Sequence, residues 1–269
     1  MLILAIDTSG QNVSTALLED DQLLLEVNSR DAQPENPLKT GSGAGSDDKL
    51  PLGFSTKRSK RGSKPSRVFP PGASELLAPM LKSLMEKTSS RFENVDLIAL
   101  PTGPGLFTGL RVGVVTAKAL AYSTNADLIG VNSLEVLAAR AAIESQWFGK
   151  NICPVVNAQR QQLFCGFYLS NEPWNVEEVA PNVILSRENW LNQLEANTVV
   201  TGDGLRPVRE QLQSKAGVTI ANESCWESSA GSIGRFAFAQ YQLGKRDDFW
   251  KLEPVYFRPS SAEELRLSK

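Results

Sequence analysis

Histidine is absent from the sequence, although the chain has 269 residues. Because histidine is the commonest metal ligand and the commonest general base in proteins, its absence argues against most metal sites and against histidine-based catalysis. Cysteine is scarce as well, and Cys153, Cys165 and Cys225 form no Cys-x-x-Cys pair. An odd number of separated cysteines argues against a disulfide framework and against a thiolate zinc site. We expect buried, inert thiols and no metal bound by this chain.

The chain also lacks an excess of one charge and a long apolar run. It has 28 basic and 30 acidic residues, so the chain as a whole has no electrostatic footprint for nucleic acid. The apolar start Met1–Ile6 has no basic region before it and is cut short by Asp7, and no run is long enough to span a bilayer. We therefore expect no signal peptide, no membrane contact and a cytoplasmic protein.

What is present is an ordinary globular composition, with 41% hydrophobic and 22% charged residues. The order of apolar periods predicts an α/β protein with two related halves around a cleft. The first half covers residues 1–131 and the second covers 132–269, without a strong sequence repeat between them. In the second half we predict a short strand at Val183–Ser186 and a final helix at about 229–243, which could pack back between the lobes.

A glycine- and proline-rich stretch, Pro101–Arg111, joins a predicted strand to a predicted helix. Glycine permits backbone angles closed to other residues and proline fixes its own φ, so this turn should be stiff. The helix start offers free N–H groups that could bind an anion. A second turn, after the first strand, carries acidic and hydroxyl side chains. The nucleotide-proximal candidates of the two turns are Asp7, Thr8, Ser9, Gly103 and Gly105.

Small residues recur every four positions in the helix after this stretch, at Gly109, Gly113, Ala117 and Ala121. Residues at this spacing form one smooth stripe along a helix, which lets another backbone approach closely. The stripe predicts either close packing within the chain or a subunit interface. The two alternatives are compatible if different sides of the helix meet different neighbours.

A preceding helix, predicted at Ser74–Lys87, has more apolar positions than one core-facing stripe needs. This excess is a second indication of an interface, although a helix clasped by two elements would show the same pattern. The positions that we assign to a partner interface here are Leu76, Leu77, Met80, Leu81 and Leu84.

The segment from about Ser29 to Arg67 breaks the pattern, because proline, glycine, serine, lysine and aspartate dominate it. Its composition predicts a disordered insertion. Basic residues cluster near its end without any acid among them, which favours either a solvated charge run or a local contact with RNA. The candidate RNA contacts are Lys57, Arg58, Lys60 and Arg61.

Five short blocks stand out along the chain. They are Ile3–Ser9, Gly103–Gly113, Ala117–Ala121, Gly130–Glu135 and Pro254–Arg258. In this order they resemble the TsaB (YeaZ-type) family, and the resemblance covers nearly the whole chain except about residues 29–67. Five blocks in the right order are a more specific signal than any single glycine-rich loop.

The resemblance implies a two-lobed α/β fold of the actin, sugar-kinase and heat-shock-chaperone (ASKHA) superfamily. It also implies a role in making threonylcarbamoyladenosine in tRNA, as a non-catalytic subunit. The family pairs with the catalytic subunit TsaD, and the ATPase TsaE joins the assembly. ATP and metal are therefore expected on partner subunits, tRNA is contacted indirectly, and the chain alone could form a homodimer.

The family's partner contact uses the first two long helices, here Ser74–Lys87 and Thr108–Ser123. On this interpretation, Gly113→Leu or Leu77→Asp should abolish pairing and leave the monomer folded. The sequence departs from the family at Ala73, where a histidine is usual, and at 157–159, where Asn-Ala-Gln replaces Asp-Ala-Arg. These losses argue against essential chemistry at either position.

Two other functions are weighed against this one. A stand-alone ATP-dependent transferase or kinase would use Asp7 as a metal-linked carboxylate, but phosphoryl transfer needs a phosphate cradle and charge-neutralising groups that are not evident. A metallopeptidase would need zinc ligands that the sequence does not offer. We expect Asp7 to be either a buried carboxylate satisfied by turn amides or a nucleotide contact. Arg111 is expected to make either a structural pair or a partner or RNA contact.

Overall fold

The computed structural model describes residues 1–31 and 72–258 of the chain. The candidate RNA contacts Lys57, Arg58, Lys60 and Arg61 lie outside the described residues. So does most of the low-complexity segment that contains them.

The first five strands form one mixed sheet. They are β1 (Leu2–Asp7), β2 (Ser14–Glu19), β3 (Gln22–Asn28), β4 (Leu97–Gly103) and β5 (Asp127–Asn132), in the order β3-β2-β1-β4-β5. β1 runs parallel to β4, and β4 runs parallel to β5. β2 runs antiparallel to both of its neighbours, β1 and β3. We call this sheet the N-terminal lobe, together with the two helices that lie between its strands in the chain, α1 (Ala73–Lys87) and α2 (Phe107–Thr124).

Helices cover both faces of this sheet, which explains why β1 reads as one continuous apolar run. On one face lie α1 (Ala73–Lys87) and α2 (Phe107–Thr124), whose apolar sides join the core cluster of β1 and β4. On the other face lie α3 (Ser133–Glu144) and α6 (Ala230–Gln242). The apolar start that Asp7 cuts short in the sequence forms this first strand.

The second sheet repeats the topology of the first. Its strands are β6 (Asn151–Asn157), β7 (Gln162–Glu172), β8 (Asn175–Ser186), β9 (Val199–Thr201) and β10 (Thr219–Ile220), in the order β8-β7-β6-β9-β10. In both sheets the first strand is central, the next two follow antiparallel on one side, and the last two add in parallel on the other. The prediction of two related α/β halves is therefore confirmed.

Two short helices, α4 (Arg187–Gln193) and α5 (Arg209–Gln213), pack against the second sheet and complete what we call the C-terminal lobe. The boundary that we place between residues 131 and 132 stays a prediction. α6 packs on the N-terminal sheet, where Gly234 leaves room for Leu18 and Ala5. No helix within residues 1–31 and 72–258 is long and apolar enough to cross a membrane.

After α6 the chain returns across the N-terminal lobe. The Asp247 amide donates to the Leu128 carbonyl at 2.9 Å, and the Asp247 carboxylate accepts from the Gly130 amide at 2.8 Å, so the segment lies along the free edge of β5. Farther on, Val255 donates to the carbonyl of Thr102 at 2.8 Å. The last described residues therefore reach the end of β4, beside the cleft between the lobes.

Candidate functional site

A cavity of about 210 Å³ lies between the two lobes, at the carboxyl ends of their central strands. Polar side chains and turn backbone form most of its wall. The residues that matter for its chemistry are Asp7, Ser9, Gly105, Asn157, Gln159, Asp203, Arg206, Trp226, Glu227 and Ser228. Of the predicted nucleotide-proximal residues, Asp7, Ser9 and Gly105 line the cavity, whereas Thr8 and Gly103 are not among its lining residues.

The carboxylate of Asp7 is buried and its hydrogen bonds come from the protein itself. One oxygen accepts from the Ser9 amide at 2.9 Å and from the Ser9 hydroxyl at 2.7 Å. The other oxygen accepts from the hydroxyl of Ser228, which precedes α6. Asp7 is 3% exposed. Asp7 thus connects the first turn to the segment before α6. This agrees with the first of its two expected roles, a buried carboxylate whose hydrogen bonds come from the turn.

The turn before α2 packs directly on the turn after β1. The Leu106 amide donates to the Ser9 carbonyl at 2.7 Å, and a Cβ on Gly105 would lie 2.7 Å from the same oxygen. A Cβ on Gly109 would overlap the carbonyl oxygen of Thr8, and the Thr8 hydroxyl donates to the Gly109 carbonyl at 2.8 Å. The glycines therefore allow α2 to pack closely on the end of β1. The sequence suggested an anion site at the start of this helix, but the Leu106 amide there donates to a carbonyl of the protein itself.

The small-residue stripe packs within the chain, which is one of the two alternatives that the sequence leaves open. Gly109 and Gly113 face Thr8, while Ala117 and Ala121 lie in the core cluster between α2 and the sheet. Each of the four is buried. The pattern shows only that something packs closely against the stripe, and here it is the chain's own first strand and turn.

The apolar positions that we assign to a partner on α1 also pack within the chain. Leu77, Met80, Leu81 and Leu84 are buried in the same core cluster, and Leu76 is partly buried against it. Their number reflects a helix that packs against both the sheet and α2, which is the other explanation that the sequence allows for this pattern. Gly113→Leu or Leu77→Asp would therefore damage the monomer, contrary to the sequence-based expectation.

The side of α2 that faces solvent carries a different set of residues. Arg111, Val115, Ala119 and Tyr122 lie at spacings of three and four, and Val115 is 67% and Tyr122 73% exposed. Trp250 lies beside Tyr122, with 6.5 Å between the ring centroids, and is 71% exposed. We call these five residues the α2 outer face. Contiguous exposed apolar side chains of this kind mark interaction surfaces.

Two contacts hold this face in shape. Lys118 donates to the carbonyls of Trp250 and Leu252, each at 3.2 Å, and so fixes the returning chain on α2. The guanidinium of Arg111 lies 3.9 Å from the centre of the Phe107 ring, and its Nε donates to the Tyr256 hydroxyl at 2.8 Å. Arg111 therefore clamps an aromatic pair at the start of α2, which is a structural role.

Charge in the cleft is organised around Glu227. Its carboxylate accepts from Arg206 at 2.7 Å, from Asn12 at 3.2 Å and from Arg30. Burial alone would raise the pKa of Glu227, but the hydrogen bonds and charges of the two arginines outweigh burial and hold the pKa below its usual value.

Asp203 has the opposite shift. Burial raises the pKa of Asp203 above its usual value, although the Asn157 amide donates to its carboxylate at 3.0 Å. Among the described residues of the cavity wall, the carboxylates of Asp7, Asp203 and Glu227 outnumber the single arginine, Arg206. Such a wall is poorly matched to the several negative charges of a nucleoside triphosphate. Among the described residues no group of three or more Cys, Asp or Glu side chains is arranged to hold a metal ion.

The turn between β6 and β7 has a backbone that sequence reasoning missed. Gln159, Arg160 and Gln161 have φ values of +64°, +49° and +61°, and none of them is glycine. The left-handed region costs about 1–2 kcal/mol per residue for an L-amino acid. The Asn157 side chain accepts from the Gln159 amide at 3.0 Å and supports the turn. The departure from the family at 157–159 thus falls in a strained turn at the cleft.

Comparison with known proteins places this geometry in a family. The family model for tRNA N6-adenosine threonylcarbamoyltransferase (TsaD) matches residues 66–200, half of the chain. The tRNA threonylcarbamoyladenosine biosynthesis protein TsaB of Bacillus subtilis is 28% identical over 195 residues, covering 72% of this chain and 66% of that protein. TsaB of Escherichia coli is 23% identical over 192 residues, covering 69% and 80%.

A solved structure gives the same fold. YeaZ from Pseudomonas aeruginosa superposes with a TM-score of 0.68 at 19% identity, covering 95% of this chain and 99% of that one. The predicted two-lobed α/β fold is confirmed by this similarity and by the repeated strand order, and its assignment to the ASKHA superfamily stays a prediction. The matching family model, the curated relatives and the shared fold together show that this chain belongs to the TsaB (YeaZ-type) family.

Proposed function

We propose that this chain is a non-catalytic subunit in the biosynthesis of threonylcarbamoyladenosine in tRNA. It pairs with a TsaD-like catalytic subunit, a TsaE-like ATPase joins the pair, and tRNA is bound mainly by the assembly. The curated relatives named above support the pathway. The observation that carries the pairing is the α2 outer face, because Val115, Tyr122 and Trp250 are each more than two thirds exposed.

The cleft supports a non-catalytic role. Asp7, the residue that a phosphotransferase of this fold would need free, has its hydrogen bonds filled by Ser9 and Ser228. The glycine turn that would cradle a phosphate is packed on the Ser9 carbonyl. Phosphoryl transfer requires groups that neutralise charge on the transferred phosphoryl, and the part of this wall that the structure describes carries more carboxylates than cations. ATP and metal are accordingly assigned to the partner subunits.

The chemistry of the interface follows from the exposed sides of the two helices. On α2 it is apolar and aromatic. On α1 the exposed residues Ala78 and Pro79 are small, and Lys82 and Glu86 flank them as a charged pair at 3.7 Å. A helix-on-helix contact with an apolar centre and a charged rim fits this surface, and interfaces of standard size are built in this way. Without the partner, the same surface would support a homodimer.

Substitution on the α2 outer face tests the pairing. Val115→Asp places a charge in the centre of the face, so the Kd for the catalytic subunit should rise at least about tenfold, since an unpaired buried charge costs more than 1.4 kcal/mol. Val179→Asp is the matched control, because Val179 is 58% exposed but lies on β8 of the C-terminal lobe. At concentrations where the unmodified chain is a monomer, both variants should melt like it, as neither side chain belongs to the core.

Binding is measured by calorimetry and tRNA modification by a reconstituted assay. Loss of both with Val115→Asp, and of neither with Val179→Asp, is the expected result. Equal affinity for the catalytic subunit in all three proteins would show that the α2 outer face is not the pairing surface. Sedimentation of the chain alone tests the homodimer with the same two variants, and Val115→Asp should shift it to monomer.

A further inference from the structure

The segment Pro254–Arg258, which we call the strap, contacts both lobes. At its N-terminal end the Val255 amide donates to the Thr102 carbonyl at 2.8 Å. A Cβ on Gly103 would lie 2.7 Å from the Val255 carbonyl oxygen, which is too close. Gly103 also has a φ of +135°. Glycine is therefore required at position 103 on two counts, and the strap is seated against the end of β4.

The middle of the strap is attached to the start of α2. The Tyr256 ring lies 4.6 Å from the Phe107 ring, centre to centre, and the Tyr256 hydroxyl accepts from Arg111 at 2.8 Å. Tyr256 is 40% exposed. Tyr256 lies next to the α2 outer face, because its hydroxyl contacts Arg111, which belongs to that face. A protein that covers the α2 outer face would therefore also cover Tyr256.

The C-terminal end of the strap is attached to the other lobe. The Phe257 ring lies 5.9 Å from that of Phe164 on β7. The Arg258 guanidinium donates to the Ala158 carbonyl at 2.9 Å and to the side chain of Gln162. These two acceptors flank the three left-handed residues of the β6–β7 turn, and Asn157 and Gln159 of the same region line the cleft.

We propose that the strap is a latch that couples the start of α2 to the β6–β7 turn across the cleft. A strained backbone persists only where its surroundings hold it, and Arg258 holds this turn from both sides. Releasing either end of the strap would let the turn relax and the cleft open. Covering Tyr256 and Arg111 would favour the attached arrangement, and by linkage the attached arrangement would favour whatever covers them.

The coupling is measurable in the free chain by hydrogen exchange. The Gln162 amide donates to the Gln159 carbonyl at 2.9 Å within the turn, and the Leu110 amide donates to the Leu106 carbonyl at 2.9 Å in the first turn of α2. Tyr256→Ala detaches the strap from α2, so exchange at Gln162, in the other lobe, should accelerate roughly tenfold. Arg258→Ala detaches it from the turn, and exchange at Leu110 should accelerate in return.

A matched control comes from the same returning segment. Lys251 is exposed, and among the described residues its ammonium pairs only with Asp248, at 3.6 Å, so Lys251→Ala should leave both amides unchanged. If each strap variant alters exchange only at its own end, the strap is an ordinary local contact and the latch is refuted. If either variant unfolds, Tyr256→Phe replaces Tyr256→Ala and Arg258→Lys replaces Arg258→Ala. Tyr256→Phe removes only the hydroxyl that accepts from Arg111, and Arg258→Lys weakens the contacts with Ala158 and Gln162 without removing the strap.

One arm of the experiment rests on the proposed function. When the catalytic subunit is added, exchange at Gln162 should slow in the unmodified chain and in Lys251→Ala, but not in Arg258→Ala. Unchanged Gln162 exchange in a complex that does form would refute the link between partner and latch. Failure of the unmodified chain to bind the subunit would refute the proposed pairing instead, while the free-chain exchange still decides the latch.

Discussion

The packing of α2 on the first turn can be tested by adding single methyl groups to its glycines. Gly109→Ala places a Cβ against the backbone carbonyl of Thr8, which cannot rotate away. Overpacking of this kind costs about 1–3 kcal/mol, and weakening of the Thr8–Gly109 hydrogen bond costs about 1 kcal/mol more. The higher helix propensity of alanine returns about 1 kcal/mol. The net expectation is a loss of about 1–3 kcal/mol in the free energy of unfolding.

Gly113→Ala makes a contrasting prediction, because its Cβ meets the side-chain hydroxyl of Thr8. That clash can be removed, so Gly113→Ala should cost about 1 kcal/mol in the unmodified chain and become stabilising by about 1 kcal/mol in a Thr8→Ala background. The cost of Gly109→Ala should not change sign there, since the carbonyl remains. Ala119→Gly, at an exposed site on the same helix, reports the propensity alone.

The assay is urea unfolding followed by tryptophan fluorescence, with the slope compared between variants so that only midpoint shifts are interpreted. If Gly109→Ala raised the midpoint, as helix propensity alone predicts, α2 would not lie against Thr8. The burial of the stripe, and with it the assignment of the outer face to the partner, would then be refuted.

Two other predictions concern charge. Burial raises the pKa of Asp203, so the folded chain binds this proton more readily than the unfolded chain, and the group's destabilising effect at neutral pH disappears as pH falls through its folded pKa. Asp203→Asn should therefore stabilise the protein at pH 7, by about 1.4 kcal/mol for each unit of the shift, and lose this advantage towards pH 4 in matched urea titrations; an advantage independent of pH would refute the explanation. Replacing four basic residues of the low-complexity segment with alanine should weaken tRNA binding and flatten its salt dependence if they contact RNA, and an unchanged salt slope would identify a solvated charge run. The four are Lys57, Arg58, Lys60 and Arg61.

Much of the fold could be predicted because local pattern and environment agree. The helix predicted at Thr108–Ser123 is observed at Phe107–Thr124. By contrast, the short strand predicted at Val183–Ser186 is the end of β8, which begins at Asn175. Its first part contains acidic residues and Pro181 and has no apolar run. An edge strand needs only one hydrogen-bonded neighbour, here β7, and that neighbour is invisible to local pattern.

The candidate site was less predictable, because periodicity identifies a face but not its neighbour. Gly113 and Leu77 lie on regular stripes that any close neighbour would explain, and only the folded chain shows that the neighbour is internal. Val115 and Tyr122 lie seven positions apart, on one face of the helix, but two apolar residues at this spacing are a weaker pattern than the four small residues of the stripe. Contacts such as that of Val255 with Thr102 join residues far apart in the chain, so no local pattern reports them.

Reconstitution with single omissions tests the central claim most directly. The complete mixture contains this chain, the TsaD-like subunit, the TsaE-like ATPase, tRNA, ATP and threonylcarbamoyl-adenylate. Each component is left out in turn, and modified tRNA is quantified. We predict that omitting this chain abolishes sustained modification, that adding Val115→Asp does not restore it, and that Val179→Asp does. Modified tRNA formed by this chain without the TsaD-like subunit would contradict the non-catalytic role.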